Sequence, residues 1–269
     1  MNTGAAAIPE APALKQCCAS LYESEAAKWL LGESFHPGGL ALTARLGCEL
    51  GLAAGDRLLD VASGQGTSAL YLAERFGCEV VGIDYGETNV ASARAVAAAR
   101  GLSDRVAFRR GDAESMPFED GTFDALVCEC AYCTFPDKPR AAREFARVLR
   151  PGGRIGLADL TRTARLAQEL EGLIAWVACI ADAQLPERYV EDLRAAGLVI
   201  GTIEARPEAL RELVQQVRGR LLAAEVLQGL KKLAISGIDF AAVRSMARLA
   251  AEAIESGSLG YALITGAKP

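Results

Sequence analysis

Short apolar runs alternate with helix-forming segments between residues 57 and 162. The runs are RLLDVAS, CEVVGIDYG, VAFRR, FDALVCEC and RIGLADLT, and most of the segments between them place apolar residues at helical spacing. Strands that alternate with helices of this length form βαβ units and a parallel sheet. The sequence therefore predicts an α/β fold, with LPERYVEDLRAAGLVIGTIEAR as a helix and sixth strand and LGYALITGA as a last strand that closes the sheet.

The regions outside this alternation are predicted to be helical. Residues 1–50 are expected to form an N-terminal helical cap or lid, and residues 51–269 a single domain. Within that domain, residues 207–256 place apolar residues at helical spacing and form a helical insertion before the last strand. The insertion is most simply core and cap, but it is also compatible with a homodimer interface or with the wall of a pocket for an organic substrate.

Composition argues against several kinds of partner. The net charge is −5, from 29 Lys and Arg against 34 Asp and Glu, and no basic cluster predicts binding to nucleic acid. No run of about 18 apolar residues predicts a membrane span, and the N-terminus lacks the pattern of a signal peptide. We therefore expect a cytoplasmic protein whose eight cysteines are reduced thiols rather than a disulfide framework.

The loop after the first strand is rich in glycine. In LLDVASGQGTS, Asp60 ends the strand, and Gly64 and Gly66 precede a helix whose first N–H groups are free to bind a ligand. Asp84 ends the second strand about 20 residues later, where a carboxylate accepts hydrogen bonds from ribose hydroxyls. Asp112 follows the third strand and is a candidate for binding an adenine amino group. The pattern predicts a nucleotide-like cofactor, with NAD as one alternative.

The region from Asp60 to Asp159 resembles the class I S-adenosylmethionine-dependent methyltransferases. The matching pieces are LDVASGQGTSAL, VVGIDYG, GDAESMPFEDGTFDALVCEC and VLRPGGRIGLADL. Within the last two, the segments MPFEDGTFDALV and LRPGG argue against an NAD-binding domain. The resemblance implies a Rossmann-like fold with a mostly parallel seven-stranded sheet and S-adenosylmethionine as cofactor. The cofactor-binding residues that it implies are Asp60, Ala62, Ser63, Gly64, Gly66, Asp84, Tyr85, Asp112, Ala113 and Glu129.

The placement of several cysteines resembles the arsenite methyltransferases. In that family an N-terminal cysteine pair, a cysteine ending the fourth strand and a cysteine after the fifth strand gather around trivalent arsenic. The matching positions here are Cys17 or Cys18, Cys130 before FPDKPRAAREFARVLRPGG, and Cys179 before IADAQLPERYVEDLRAAGL. The resemblance implies these four as catalytic residues, with Cys18, Cys130 and Cys179 as arsenic ligands. Soft thiolates bind soft centres, and an arsenic lone pair needs no general base to attack a methyl group.

Two other interpretations remain open. The first is methyl transfer to a small organic molecule, with the insertion shaping the pocket and with His36 or Tyr22 near the methyl group. His36, the single histidine, is a candidate base or lid residue, and equally a residue fixed in the turn HPGG. The second is a thiol-based metal or redox sensor without catalysis. Cysteine often fills small gaps in a core, and we assign Cys48, Cys78 and Cys128 to packing and leave Cys133 undecided.

Overall fold

The protein alternates helices and strands throughout, as described by a computed structural model for residues 10–32, 36–164, 166, 170, 179–180, 182–229 and 240–269. The strands are β1 Arg57–Val61, β2 Glu79–Asp84, β3 Val106–Arg110, β4 Phe123–Glu129, β5 Leu149–Arg162, β6 Val199–Ala205 and β7 Leu259–Ala267. The helices are α1 Ala11–Glu23, α2 Glu25–Leu31, α3 Gly39–Glu49, α4 Thr67–Phe76, α5 Glu87–Ala99, α6 Lys138–Val148, α7 Pro186–Ala195, α8 Pro207–Gly229 and α9 Phe240–Glu255, with a 3-10 turn at Tyr132–Thr134.

The seven strands form one mixed sheet in the order β3–β2–β1–β4–β5–β7–β6. Neighbours from β3 through β5 pair in parallel, whereas β7 pairs antiparallel with both β5 and β6. The predicted Rossmann-like fold with seven strands is therefore confirmed, with β7 as the antiparallel member. The last strand, β7, completes the sheet by inserting between β5 and β6, which leaves β6 at the edge.

The central strands carry the core of the domain. In β1 every residue after Arg57 is buried, and in β4 the run from Ala125 to Cys128 is at most 1% exposed. A strand that is covered on both faces by helices has a continuous apolar sequence. The apolar runs in the sequence predict these strands for that reason. Their carboxyl ends meet at one edge of the sheet, where the predicted cofactor-binding residues lie.

Helix α6 passes directly into β5. The helix ends at Val148 and the strand begins at Leu149, so that Pro151, Gly152 and Gly153 lie within β5. At its other end α6 is fixed by Asp137, whose side chain accepts a hydrogen bond from the Arg140 backbone N–H at 3.0 Å. Such an N-cap satisfies one of the free donors of the first turn.

Two groups of helices lie outside the alternation of strands and helices that builds the sheet. Helices α1 and α2 belong to the predicted cap at residues 1–50, and α8 and α9 belong to the predicted insertion at 207–256, of which 230–239 lie outside the described residues. The division into cap, domain and insertion stays a prediction. Within the described ranges no helix combines the length and the apolar character needed to cross a membrane.

Candidate active site

A pocket opens at the carboxyl ends of the central parallel strands. It lies at β1, which has β2 on one side and β4 on the other. From β1 the chain runs outward through β2 and β3, and then crosses to β4 on the opposite side of β1. Ligands of open α/β sheets bind in the crevice formed at such a switch point. The pocket runs from Asp112, beyond β3, past Asp84 at the end of β2, to Asp60 at β1 and Cys130 at β4.

Most of the residues expected to bind the cofactor line this one pocket. They are Asp60, Ala62, Ser63, Gly64, Asp84, Tyr85, Asp112, Ala113 and Glu129. Gly66 does not line it, but serves as the N-cap of α4 with a φ of 82°. A left-handed φ of this size favours glycine, because a Cβ would meet the backbone.

The Asp84 carboxylate organises two loops around the pocket. One oxygen, Oδ2, accepts a hydrogen bond from the Gly64 backbone N–H at 2.9 Å. The other, Oδ1, accepts from the Gly86 N–H at 2.8 Å and from the Asn89 side-chain amide at 3.2 Å. Burial raises the pKa of this carboxyl while the three donors lower it. Asp84 therefore holds the glycine loop and the start of α5 in place, and Oδ2 keeps a lone pair toward the pocket.

A buried carboxyl oxygen without a hydrogen-bond partner points to a cationic ligand. The Asp60 side chain is 2% exposed, and its Oδ2 atom lacks a hydrogen-bond partner, as does Ser63 Oγ. Burial raises the pKa of Asp60 well above its ordinary value, and the nearby Glu129 and Asp84 carboxylates raise it further. An unpaired buried acceptor is costly, and a ligand carrying an ammonium and a sulfonium, as S-adenosylmethionine does, would satisfy it. The donor set at this end of the pocket thus fits that cofactor.

Helix α1 covers the pocket with one face. Lys15, Cys18, Ala19 and Tyr22 line it, and their spacing of three, four and seven residues places them on one side of a helix. The Lys15 ammonium donates to both Asp112 oxygens, at 3.0 and 2.8 Å, and to Glu114 at 2.6 Å. Burial opposes the charged form of Lys15, but the two carboxylates outweigh it and raise its pKa. The helix is thereby tied to the loop beyond β3.

The far end of α1 is tied down as well. Glu23 Oε1 accepts hydrogen bonds from the backbone N–H groups of Thr88, at 2.9 Å, and Asn89, at 3.4 Å, in the first turn of α5. A carboxylate at a helix N-terminus is stabilised by the free N–H groups and the helix dipole. Two polar contacts, one near each end, therefore hold α1 over the pocket.

A buried histidine–carboxylate pair lies at the β1/β4 end of the pocket. His36 is 8% exposed, and its Nε2 atom lies 3.6 Å from Glu129 Oε2 and 3.3 Å from the hydroxyls of Thr43 and Ser68. Its other ring nitrogen, Nδ1, lies 3.2 Å from the Pro37 carbonyl oxygen, which can only accept a hydrogen bond. The Thr43 hydroxyl donates to Glu129 at 3.0 Å. With Nδ1 carrying the proton, Nε2 is unprotonated and can accept a hydrogen bond, as from the Ser68 hydroxyl.

Three thiols form a cluster beside this end of the pocket. The sulfur of Cys179 lies close to the thiols of Cys130 and Cys133. It also lies 3.3 Å from the Cys130 carbonyl oxygen and 3.4 Å from the Tyr22 hydroxyl. The donors from Cys130 and Cys133 lower the pKa of Cys179 well below its ordinary value, against the effect of burial. We call Cys130, Cys133 and Cys179 the thiol cluster.

The other cysteines separate into several environments. Cys18 lines the pocket, and burial raises its pKa to about 12, whereas Cys17 is half-buried and does not line it. Cys78 and Cys128 are fully buried, as expected for packing, but Cys48 is exposed and its assignment to the core was wrong. Its position on an amphipathic helix could not reveal which way the side chain points. Among the described residues, no group of three His, Cys, Asp or Glu side chains is arranged to hold a metal ion.

Sequence reasoning missed several residues of the site. Lys15 was overlooked, although its spacing from Cys18 and Tyr22 matches one helix face. Thr43 and Ser68, the hydroxyl neighbours of His36, carry no sequence signal because they lie on different helices.

The chain is similar to known methyltransferases over most of its length. A family profile described as a methyltransferase domain matches residues 59–157. The 27-O-demethylrifamycin SV methyltransferase of Amycolatopsis mediterranei is 35% identical over 240 residues, which cover 85% of this chain and 83% of that protein. The geranyl diphosphate methyltransferase, solved in complex with S-adenosylmethionine, shares the fold with a TM-score of 0.69 at 21% identity, covering 85% of each chain.

Another similar structure has a different activity. The crystal structure of the (4+2)-cyclase SpnF matches with a TM-score of 0.70 and 31% identity, over 85% of this chain and 81% of that one. One fold hosts many functions, so the site rather than the fold must carry the functional argument. The extent of the match to the rifamycin methyltransferase, together with the methyltransferase profile, shows that this chain belongs to the class I S-adenosylmethionine-dependent methyltransferases.

Proposed function

We propose that the protein transfers a methyl group from S-adenosylmethionine to a hydroxyl of a small organic molecule. The observation that carries this proposal is the buried His36–Glu129 pair at the β1/β4 end of the pocket. Methyl transfer to a hydroxyl requires removal of its proton, and a histidine with a free ring nitrogen is the side chain best suited to accept it. The name of the rifamycin methyltransferase also indicates transfer to an oxygen atom.

The order of the strands suggests how the cofactor lies. With Asp112 and Ala113 at the adenine and Asp84 at the ribose, the methionine part reaches the glycine loop and Asp60. The ammonium of that part would pair with Asp60, whose Oδ2 atom otherwise has no partner. When bound, the cofactor supplies an electrophilic methyl group on a positively charged sulfur. Beyond it, toward β4, the pocket wall consists of Tyr22, His36, Cys130, Thr134 and Phe135, which would face the acceptor.

Each polar residue at this end has a part in handling the acceptor's proton. His36 Nε2 accepts the proton, and Nδ1 keeps its own hydrogen on the Pro37 carbonyl oxygen. The resulting imidazolium lies next to the Glu129 carboxylate, which stabilises the positive charge. The Thr43 hydroxyl donates to that carboxylate and fixes its orientation. Glu129 acts here as a partner of the base, in addition to its predicted place beside the cofactor.

A second candidate is methylation of a thiophilic centre such as trivalent arsenic. Its support is the contact of Cys179 with Cys130 and Cys133, with Cys18 on the pocket wall and Cys17 next to it in sequence. Cys18 also lies near Cys179. The relatives described above, however, are not arsenite methyltransferases by name. The organic acceptor is therefore the better supported of the two.

The test is methyl transfer measured on chosen acceptors. The protein is incubated with S-adenosylmethionine and 27-O-demethylrifamycin SV, then with simpler phenols and alcohols, and separately with arsenite and glutathione. Mass spectrometry detects S-adenosylhomocysteine and the methylated acceptor. We expect an O-methylated product, and a His36→Gln change should lower kcat by about 10²–10⁴-fold while cofactor binding stays intact.

Matched variants separate the two candidates. Cys48→Ser alters an exposed thiol far along α3 from the pocket wall and serves as the control. If the acceptor is a hydroxyl, Cys130→Ser should retain most activity and His36→Gln should not. Methylated arsenic that disappears in Cys130→Ser would instead support the thiophilic centre. Conversion of an acceptor without release of S-adenosylhomocysteine would refute methyl transfer. It would instead indicate a reaction that does not consume the cofactor, such as a cyclisation.

A further inference from the structure

The thiol cluster has no part in the proton transfer proposed above, yet it borders the same pocket. Cys130 lines the pocket and is partly exposed, whereas Cys133 and Cys179 lie behind it and are at most 2% exposed. Three sulfurs in contact at the edge of a ligand-binding cleft are more than packing requires. We therefore asked what chemistry their arrangement permits.

The sulfurs come from two distant parts of the chain. Cys130 and Cys133 follow β4, and Cys179 belongs to the segment after β5. A partly buried ion pair joins these parts, because the Lys138 ammonium, on the first residue of α6, bonds the Asp182 carboxylate. Lys138 is only 6% exposed. The pair anchors the segment that carries Cys179 against the end of β4, so the contact between sulfurs is part of the fold.

The backbone at both cysteines is also constrained. Cys130 has a φ of 53° and Cys179 a φ of 65°, both in the left-handed region that residues with a Cβ rarely adopt. Such conformations persist only where the surrounding structure enforces them, and they occur preferentially at functional sites. The Cys130 N–H donates to the Ala158 carbonyl at 2.7 Å, which fixes this residue to β5.

The cluster also touches the helix that covers the pocket. The Tyr22 hydroxyl on α1 shares a hydrogen bond with the Cys179 sulfur at 3.4 Å. A chemical change at that sulfur would therefore alter one of the contacts that hold α1 in place. The cluster links the state of a thiol to the cover of the cofactor pocket.

We propose that Cys130 and Cys179 form a reversible disulfide on exposure to a hydroperoxide, and that this bond weakens cofactor binding by loosening α1. Cys179, the thiol of the pair that ionises more readily, reacts first: its thiolate sulfur takes one peroxide oxygen, giving a sulfenic acid, and the other oxygen leaves as water or an alcohol with a proton from solvent. The Cys130 thiol then attacks the Cys179 sulfur, and the hydroxyl leaves as water with the thiol proton. The two thiols lose two electrons in all, and the peroxide gains them.

The bond changes the environment of Tyr22. A disulfide holds its sulfurs about 2.05 Å apart, so its formation displaces the Cys179 sulfur from its present position 3.4 Å from the Tyr22 hydroxyl. A disulfide sulfur is also a poorer hydrogen-bond partner than a thiol or thiolate. Loss of this one bond should weaken the affinity for S-adenosylmethionine roughly fivefold.

The experiment compares reduced, oxidised and re-reduced protein. The full chain is treated with hydrogen peroxide, and peptide mapping without reductant identifies the linked cysteines. Calorimetry then measures the affinity for S-adenosylmethionine, which requires no acceptor and is independent of the proposed O-methylation. We expect a Cys130–Cys179 peptide, weaker cofactor binding, and recovery of both on adding dithiothreitol.

Variants locate the effect. Cys130→Ser and Cys179→Ser should each abolish the linked peptide and the reversible change in affinity, and using both guards against one variant failing to fold. Cys48→Ser should respond to peroxide as the unaltered protein does. A disulfide joining Cys179 to Cys133, or Cys17 to Cys18, in place of the predicted one would overturn the proposal. So would oxidation that leaves cofactor affinity unchanged, or a loss that the reductant does not reverse.

Discussion

Replacing Gly66 by alanine tests how the glycine loop is built. Two effects add at this position. The φ of 82° is left-handed, which costs a residue with a Cβ about 1–2 kcal/mol. The new Cβ would also lie 2.5 Å from Cζ of Phe108 and 3.1 Å from the Ala93 Cβ. Carbon atoms pack at about 3.5–4.0 Å, so the Phe108 ring would have to move.

The Phe108 ring has little room to move. It is 3% exposed, and a Cβ on Gly82 would come equally close to it, at 2.5 Å. Two glycines therefore flank the ring from α4 and from β2. Overpacking of a core costs about 1–3 kcal/mol, and together with the backbone term we expect Gly66→Ala to lower the free energy of unfolding by about 2–5 kcal/mol.

Two control variants separate these effects. Gly101 has a φ of 67°, but a Cβ there would meet nothing within 4 Å, so Gly101→Ala reports the backbone term alone. Gly82 lies in β2 without a left-handed φ, so Gly82→Ala reports steric clash without the backbone term, with Phe108 at 2.5 Å and with Ser63 Oγ at 2.7 Å. Urea unfolding followed by circular dichroism gives each free energy.

The double variant Gly66→Ala/Phe108→Leu should recover part of the loss, because the smaller side chain leaves room for the new Cβ. Equal destabilisation by Gly66→Ala and Gly101→Ala would show that Phe108 relaxes at no cost and would refute the packing argument.

Three further predictions concern the pocket and its cover. Asp84→Asn keeps the shape of the side chain but removes its charge. Because hydrogen bonds to charged groups contribute about 1.5–3 kcal/mol, calorimetry should show roughly 10–100-fold weaker binding of S-adenosylmethionine. Unchanged affinity would contradict the predicted contact between Asp84 and the ribose. Lys15→Met removes the ammonium that joins α1 to Asp112 and Glu114, so amide hydrogen exchange over residues 11–23 should become faster, by about tenfold, while exchange in α5 stays the same. Burial raises the pKa of Asp159 to about 7, above its value in the unfolded chain. The folded state therefore binds a proton more tightly, and the free energy of unfolding should fall as pH rises from about 4 to 7. Asp159→Asn should flatten that slope in urea unfolding measured across this pH range.

The cofactor end of the site could be predicted from the sequence because its residues are local to strand ends. Asp60, Asp84 and Asp112 each follow an apolar run, and parallel strands bring their carboxyl ends to one edge of the sheet. The glycine loop between β1 and α4 has a conformation that only a few residue types adopt. These features need no knowledge of how distant segments pack.

The acceptor end could not be predicted in the same way. The resemblance in cysteine placement implied Cys18 as the third thiol, which stays a prediction, and the structure adds Cys133 beside Cys179. His36 stood as either a turn residue or a base, and its approach to Glu129 depends on packing between distant parts of the chain. Both outcomes follow from side-chain directions that sequence spacing does not fix.

The sequence by itself determined the alternation of strands and helices, the glycine loop and the row of acidic strand ends, since each depends on periodicity and backbone preference over a few residues. The tertiary structure decided the insertion of β7 between β5 and β6, the ion pair of Lys15 with Asp112 across 97 residues of chain, and the meeting of three thiols at one edge of the pocket. Such long-range contacts are selected by the packing of whole elements around a common core, and no local pattern encodes which surfaces will meet.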